Sequence, residues 1–238
     1  MTMKLTILGC EGPWPTPGGG CSSYLVETGG KRILMEAGSG MMAHLSEKMA
    51  FADLDAVILS HLHFDHMGEM PLLGYALMNT NKKLPVYLPA EPAAVRSLLE
   101  GFGCFECHTV TAGDTALIGE VQVSFLPARH PVPAVGVKLS CAGKTLCYSG
   151  DTNTLEGLAE YYRDADLLLI DGGLSAAAWA EGKPHLSAAL AAQAALDCGA
   201  KASVLTHFAP GQRELLLAEA QAVNPDMLGA EPGRSYEL

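Results

Sequence analysis

Ala56-Val57-Ile58-Leu59-Ser60-His61-Leu62-His63-Phe64-Asp65-His66 is the stretch on which the reading of this chain turns. An apolar run of strand length breaks directly into three imidazoles and one carboxylate within six residues. Uneven steps of two, two and one residues spread the four groups over a turn instead of stacking them on one helix face. Neutral imidazole and carboxylate suit zinc and similar divalent ions. The plainer alternative is a polar strand-to-helix loop, and a mixed His/Asp cluster of this density speaks against it. The stretch reads as half of a two-metal site.

Composition sets the frame around it. With 238 residues, 49% hydrophobic and 17% charged, the chain has enough apolar material for one globular domain spanning residues 1–238. No basic-then-apolar leader precedes Met3-Lys4-Leu5-Thr6-Ile7-Leu8, and no apolar run approaches the roughly 20 residues that span a bilayer. Seven scattered cysteines, an odd number, suggest reduced and mostly buried thiols instead of a disulfide framework. A cytoplasmic protein without a membrane partner is expected. A net charge of −11, with no cluster of Lys and Arg, argues against an extended nucleic-acid partner.

Apolar strand-like runs alternate with segments of helical period, the pattern of an α/β layered fold. Strands are expected near Lys4–Gly9, Ser23–Glu27, Arg32–Glu36, Ala56–Ser60, Val86–Leu88, Glu120–Leu126, Val135–Ser140, Thr145–Ser149, Leu167–Asp171 and Ser203–Thr206. Helices are expected at Gly40–Met49, Met67–Met78, Pro92–Gly101, Thr154–Tyr162, Ser187–Cys198 and Gln212–Val223, with Ser187 as an N-cap. A two-sheet sandwich with helices outside is the simplest arrangement. His130, Asp151 and His207 each follow an expected strand, where α/β sites gather. They complete a coordination set in which His61, His63 and His130 take one ion, Asp65, His66 and His207 the other, and Asp151 lies between them.

These motifs, in order, resemble the metallo-β-lactamase superfamily over almost the whole chain, and within it the ribonuclease Z-like phosphodiesterase branch. The resemblance rests on Leu8-Gly9-Cys10-Glu11-Gly12, Glu36-Ala37-Gly38-Ser39-Gly40, the His61–His66 cluster, His130-Pro131-Val132-Pro133, Tyr148-Ser149-Gly150-Asp151-Thr152, His185-Leu186-Ser187 and Leu205-Thr206-His207-Phe208. It implies a four-layer αβ/βα sandwich and two divalent ions at its edge. Zinc is the expected metal, with Mn2+ and Fe2+ as alternatives. A bridging carboxylate at Asp151 is similar to hydrolases of phosphodiesters and thioesters and unlike most zinc β-lactamases. His185 looks like the extra histidine of the branch, close to substrate phosphate without binding metal.

The implied chemistry is hydrolysis of a small phosphodiester, such as a cyclic nucleotide, by a hydroxide shared between the metals. Asp65 would ligate and orient, and His185 would stabilise the transition state or protonate the leaving oxygen. A thioester hydrolase of the glyoxalase II kind and a tRNA 3′-processing endonuclease are the alternatives, the latter disfavoured because no glycine-rich tRNA-gripping arm is visible. The resemblance also admits a homodimer. Cys104-Phe105-Glu106-Cys107-His108 has the spacing of a haem attachment, but export would be required, and it offers only three ligands for a zinc site that needs four. Gly18-Gly19-Gly20 reads as a mobile loop near the pocket. His44 is expected to be solvated, and Met41, Met42, Leu45 and Met49 to form an apolar helix face.

Overall fold

The computed structural model describes residues 2–238. The first half runs β1 (Lys4–Gly9), β2 (Ser23–Thr28), β3 (Lys31–Met35), α1 (Met41–Ser46), β4 (Ala56–Ile58), α2 (Phe64–Met67), α3 (Met70–Leu77), β5 (Leu84–Leu88), α4 (Ala93–Glu100) and β6 (Phe105–Thr109). The second runs β7 (Thr115–Ile118), β8 (Val121–Pro127), β9 (Val135–Cys141), β10 (Lys144–Tyr148), α5 (Leu158–Tyr161), β11 (Leu167–Asp171), α6 (Ala188–Asp197), β12 (Ser203–Thr206), α7 (Arg213–Val223), β13 (Leu228–Gly229) and β14 (Ser235–Glu237). Two seven-stranded sheets result, in the orders β14-β1-β2-β3-β4-β5-β6 and β13-β12-β11-β10-β9-β8-β7.

Alternation of side chains along each strand explains the layering. In β2, Tyr24 and Val26 belong to the core shared with the second sheet, whereas Leu25 faces a separate core with Met41, Leu45, Leu73 and Leu99 of α1, α3 and α4. The second sheet is buried between the first sheet and α6, whose Ala188, Ala191, Ala192 and Ala195 let that helix lie close. This is the four-layer αβ/βα sandwich of the metallo-β-lactamase fold. Phe125, from β8, is 1% exposed in the inter-sheet core and packs on Tyr87.

Strand direction then places the site. β3, β4 and β5 run parallel, and β1 shares their direction because β2 is antiparallel to both β1 and β3. In the other sheet β10, β11 and β12 are parallel, and β8 shares their direction through antiparallel β9. Main-chain bonds join the two sheets where these strands end. Gly12 N donates to Phe208 O (3.1 Å), Phe208 N to Cys10 O (2.8 Å) and Val135 N to Ser60 O (2.9 Å).

Three strands have the expected limits, Lys4–Gly9, Leu167–Asp171 and Ser203–Thr206, and Ser187 caps α6 by accepting from Leu190 N. The helix expected over Met67–Met78 is instead broken into α2 and α3. Pro71 falls in the first turn of α3, where its missing N–H costs nothing, and Glu69, just before that turn, sends its carboxylate to Gly40 N and Met42 N at the start of α1. The helix expected from Thr154 is reduced to Leu158–Tyr161, with Gly157 left-handed at φ 74° before it. Strands β6, β7, β13 and β14 were not expected. β6 contains Cys107 and His108, which as neighbours on a strand point to opposite faces. Cys104 is buried in the helix-side core, so the three groups do not converge. His44 is half-buried with Nδ1 2.5 Å from Leu8 O, and so is not simply solvated. Glu11 draws the Gly18–Gly20 loop inward by accepting from Thr16 N and Thr16 Oγ1.

All seven cysteines are free, and six are buried. Among the described residues no helix is long and apolar enough to cross a membrane. Phe125→Ala should open a cavity between the sheets and lower stability by about 3–5 kcal/mol. Thermal unfolding should show a midpoint lower by on the order of 10 °C.

Candidate metal centre

The site lies on loops that leave the C-terminal ends of β1, β3, β4, β8, β10, β11 and β12. At the end of β4, His61 is fully buried and its Nε2 lies 3.1 Å from His63 Nδ1, which is also 3.1 Å from His130 Nε2. His130 Nδ1 lies 3.1 Å from Pro184 O, and a carbonyl only accepts, so this nitrogen carries the proton. Neutral His130 therefore turns the lone pair of Nε2 toward His63. Three ring nitrogens meeting in this way are better matched to a shared cation than to one another.

Beside them Asp65, His66 and His207 form a second group. Asp65 Oδ2 is 3.3 Å from His207 Nε2 and 3.7 Å from His66 Nε2. Asp151 Oδ2 reaches both groups, at 3.7 Å from His61 Nε2, 3.2 Å from His66 Nε2 and 3.2 Å from His207 Nε2. None of these contacts satisfies His66 or His207. Both rings and Asp151 Oδ1 are buried without a hydrogen-bond partner, since the short contacts are misaligned. Buried polar atoms left in this state are costly, and a divalent cation satisfies them together. The donor set thus fits divalent metal, and all seven sequence-derived candidates, His61, His63, Asp65, His66, His130, Asp151 and His207, are gathered in one place.

The charges reinforce one another. Burial alone would favour neutral Asp151, but His207 and His66 outweigh it and hold the carboxyl well below the usual range. Burial likewise opposes charge on His66, while Asp151 and Glu36 push its pKa well above normal. His61, buried among other imidazoles, is pushed well down and stays neutral.

The backbone is shaped to bring these groups together. His207 takes a left-handed conformation at φ 59°, as does Glu36 at φ 61°, a region that side-chain-bearing residues seldom occupy. A Cβ at Gly12 would lie 2.3 Å from His207 Nε2 and 2.9 Å from Asp65 Oδ2, so only glycine lets β1 end against the site. Gly38 is similarly pressed between Asp65 O and the Cβ of Cys21.

His185 borders the second group, clustering with Asp151, Asp171 and His207 as a further set of ligand-type side chains. Its Nδ1 is 3.0 Å from Asp171 Oδ2 and 3.7 Å from Asp151 Oδ2, and its ring stacks on His207 with centroids 4.6 Å apart. Burial pulls its pKa down, but Asp171 and Asp151 overcome this and raise it to about 9. Asp171 is itself fixed by Thr152 N and Gly173 N. Sequence reading passed over Asp171, although a lone carboxylate closing Leu167-Leu168-Leu169-Ile170 was a usable signal. Glu36 was read only as part of a motif, with no role assigned; it follows β3, is fully buried, accepts from Ser60 N and lies 3.4 Å from His66 Nδ1.

Asn153 was a further omission. Residues 174–188 form a strap whose ends are bonded, Leu174 N to Leu186 O and Ala188 N to Leu174 O. Inside it, Asn153 Nδ2 shares its two protons among Ala180 O, Glu181 O and Lys183 O, all within 3.0 Å, while its Oδ1 accepts from Trp179 Nε1 at 2.8 Å. One buried amide thus pins the segment that carries both Pro184, the partner of His130, and His185. Asn153→Ala should leave those carbonyls unpaired and cost about 1–3 kcal/mol. Hydrogen exchange should quicken across Trp179–Lys183 and stay slow in β10 and β11.

The chain matches the family model described as beta-lactamase superfamily domain over residues 31–208. It is 28% identical to a protein of Bacillus subtilis (strain 168) named as a probable metallo-hydrolase, YhfI, with 99% of this chain and 100% of the relative aligned. The crystal structure of that metallo-beta-lactamase fold protein superposes with a TM-score of 0.93 at 26% identity, covering 100% of this chain and 99% of the other. A ribonuclease Z of Methanosarcina acetivorans is 25% identical, over 99% of this chain and 98% of its own. The short form of human tRNase Z shares the fold at a TM-score of 0.81 and 21% identity, covering 98% of each chain.

Proposed function

We propose a phosphodiesterase, starting from the fact that this chain belongs to the beta-lactamase superfamily and is a metallo-hydrolase of that family. The observation that carries the proposal is His185. It is a histidine held protonated at the rim of a divalent-metal cluster, with its Nδ1 bonded to Asp171 at 3.0 Å and farther, at 3.7 Å, from the ligand-type Asp151. A phosphodiester needs such a partner for its departing oxygen, whereas a thiolate leaves without one. The ribonuclease Z name of the Methanosarcina relative fits phosphodiester chemistry.

In this reading His61, His63 and His130 hold one ion, Asp65, His66 and His207 a second, and Asp151 lies between, with zinc as the metal. Metal, when bound, supplies Lewis acidity toward phosphate oxygens and makes a nucleophile available at neutral pH. The protein supplies orientation and proton handling. Pro184 O fixes the tautomer of His130, and Glu36 backs His66. Asp65, kept ionised by His207 and His66 against the effect of burial, orients the attacking water. Asp171 holds Nδ1 of His185, and Nε2 delivers its proton to the leaving alkoxide. No glycine-rich, tRNA-gripping insertion is visible in the sequence, which favours a small diester. Free cysteines support a reducing, cytoplasmic setting.

Turnover of bis-p-nitrophenyl phosphate, lost on chelation and accompanied by an inert matched thioester, is the expected result. Rapid thioester hydrolysis with no diester cleavage would replace this reading by the glyoxalase II kind. Toward a diester with an alkoxide leaving group, such as a cyclic nucleotide, His185→Ala should lower kcat by about 10²–10⁴-fold, and far less toward the p-nitrophenyl ester, while bound metal, measured by elemental analysis, stays at the wild-type level. The pH profile supplies a separate check. A raised pKa means that the proton is present below about 9 and is lost above it, so kcat should fall as pH rises through about 9. Asp171→Asn removes the main negative partner of His185 and should move that fall to lower pH.

A further inference from the structure

Exposure marks the side from which the metal centre is reached. His61, His66, Asp151 and His207 are enclosed, whereas His63, Asp65, His130 and His185 keep part of their surface. On that side the rings of His130 and His185 have centroids 5.6 Å apart. Each follows an exposed cation: Arg129 immediately precedes His130, and Lys183 stands two residues before His185. Of the chain's 15 lysines and arginines, these are the two that fall within two residues of a ligand-type side chain of the centre.

Backbone contacts bring the two cations together. His130 Nδ1 donates to Pro184 O at 3.1 Å, so Arg129-His130 and Lys183-Pro184 lie side by side. Asn153 holds both segments, its N donating to Arg129 O at 2.9 Å and its Nδ2 to Lys183 O. Arg129 N donates in turn to Thr152 Oγ1 at 3.0 Å. The side chains reach solvent, but the main chain beneath them is fixed to the loop that carries Asp151.

Neither charge is neutralised. Among the described residues no carboxylate lies within salt-bridge distance of Arg129 or Lys183. Glu91, which shares a cleft wall with Arg129, accepts instead from Ala93 N. The cations gathered at the turn between β2 and β3 are treated differently, since Lys4, Lys31 and Arg32 pair with Glu27, Asp55 and Asp53. Arg213, beyond β12, is engaged by Ala230 O, Gly229 O and the face of Phe208. In a chain of net charge −11, two anchored and unpaired cations beside an anion-processing centre are a place for another anion.

We infer that Arg129 and Lys183 form a second anion subsite, which takes a phosphomonoester carried by the same substrate and not itself cleaved. The inference rests on the phosphodiesterase reading and adds a second phosphate to its substrate. A phosphomonoester carries a charge of about −1.5 to −2 at neutral pH, which matches one guanidinium and one ammonium, whereas a carboxylate matches only one of them. Arginine offers a planar fork to two of its oxygens, and lysine a point charge to the third.

Alkyl p-nitrophenyl phosphodiesters with chains of two to five carbons, each made with and without a terminal phosphate, separate the subsite from the chemistry because the leaving group is constant. At the chain length that spans the two sites, the metal-loaded enzyme should favour the phosphate-bearing diester by about 10–100-fold in kcat/KM, mainly through KM. Replacing both cations, Arg129→Ala with Lys183→Ala, should bring that ratio close to unity. Equal values at every length, a ratio that the double variant leaves in place, or a terminal carboxylate that recovers the whole gain would overturn the inference. If no diester is cleaved, the phosphodiesterase reading falls, and calorimetric titration with 1,3-propanediol bisphosphate and with propyl phosphate decides the subsite separately. It stands if the bisphosphate binds about tenfold or more tightly and the double variant removes the difference. It falls if the two bind alike or the double variant leaves the difference in place.

Discussion

The main-chain seam between the two sheets is the constraint on which the rest depends. Cys10 and Gly12, just beyond β1, exchange hydrogen bonds with Phe208, just beyond β12, and Ser60 is bonded to Val135 farther along the same edge. Buried backbone groups have to be paired, and here each sheet supplies partners for the other. Once β1 and β12 are locked, His207 has little choice of position. It lies between Thr206 and Phe208, must turn through a left-handed conformation, and meets Asp65 across the space that Gly12 leaves open.

From this seam the organisation of the site follows. Ligand-type side chains come from both halves of the chain, His61 to His66 from one sheet and His130, Asp151 and His207 from the other. Each half alone would expose an incomplete set. Together they bury imidazoles and carboxylates whose protons and lone pairs are not satisfied within the protein, the condition in which a divalent cation is most strongly favoured. Glu36, Asp171, Asn153 and the carbonyl of Pro184 sit behind that set and determine which way the rings face. Outer groups of this kind commonly govern affinity and rate as much as the ligands do.

Much of this was legible in the sequence, for physical reasons. Leu167–Asp171 and Ser203–Thr206 are buried at every position, and their apolar interiors, Leu167-Leu168-Leu169-Ile170 and Val204-Leu205, declare themselves. Histidine is uncommon enough that His61, His63 and His66 stood out before any contact was known. The omissions share a different cause. β6 and β7 are sheet edges with exposed, mixed residues, so no periodic pattern marks them, and β14 is defined only by its pairing with β1 across the full length of the chain. Asn153 and Asp171 act through partners that are distant in sequence, and an amide or a single carboxylate carries no local sign of that role. The break between α2 and α3 depends on Glu69 serving α1, a tertiary demand that propensity does not express.

Cys21 lies next to this centre, within reach of the charge of Asp65 and His66, and burial pushes its thiol up to about 12. Burial thus favours the neutral thiol at this position. The thiolate is the form that captures soft metals and reacts with peroxide. A buried, protonated sulfur is a poor ligand and a poor nucleophile, so Cys21 serves here as packing, its Cβ filling the space against which Gly38 is pressed.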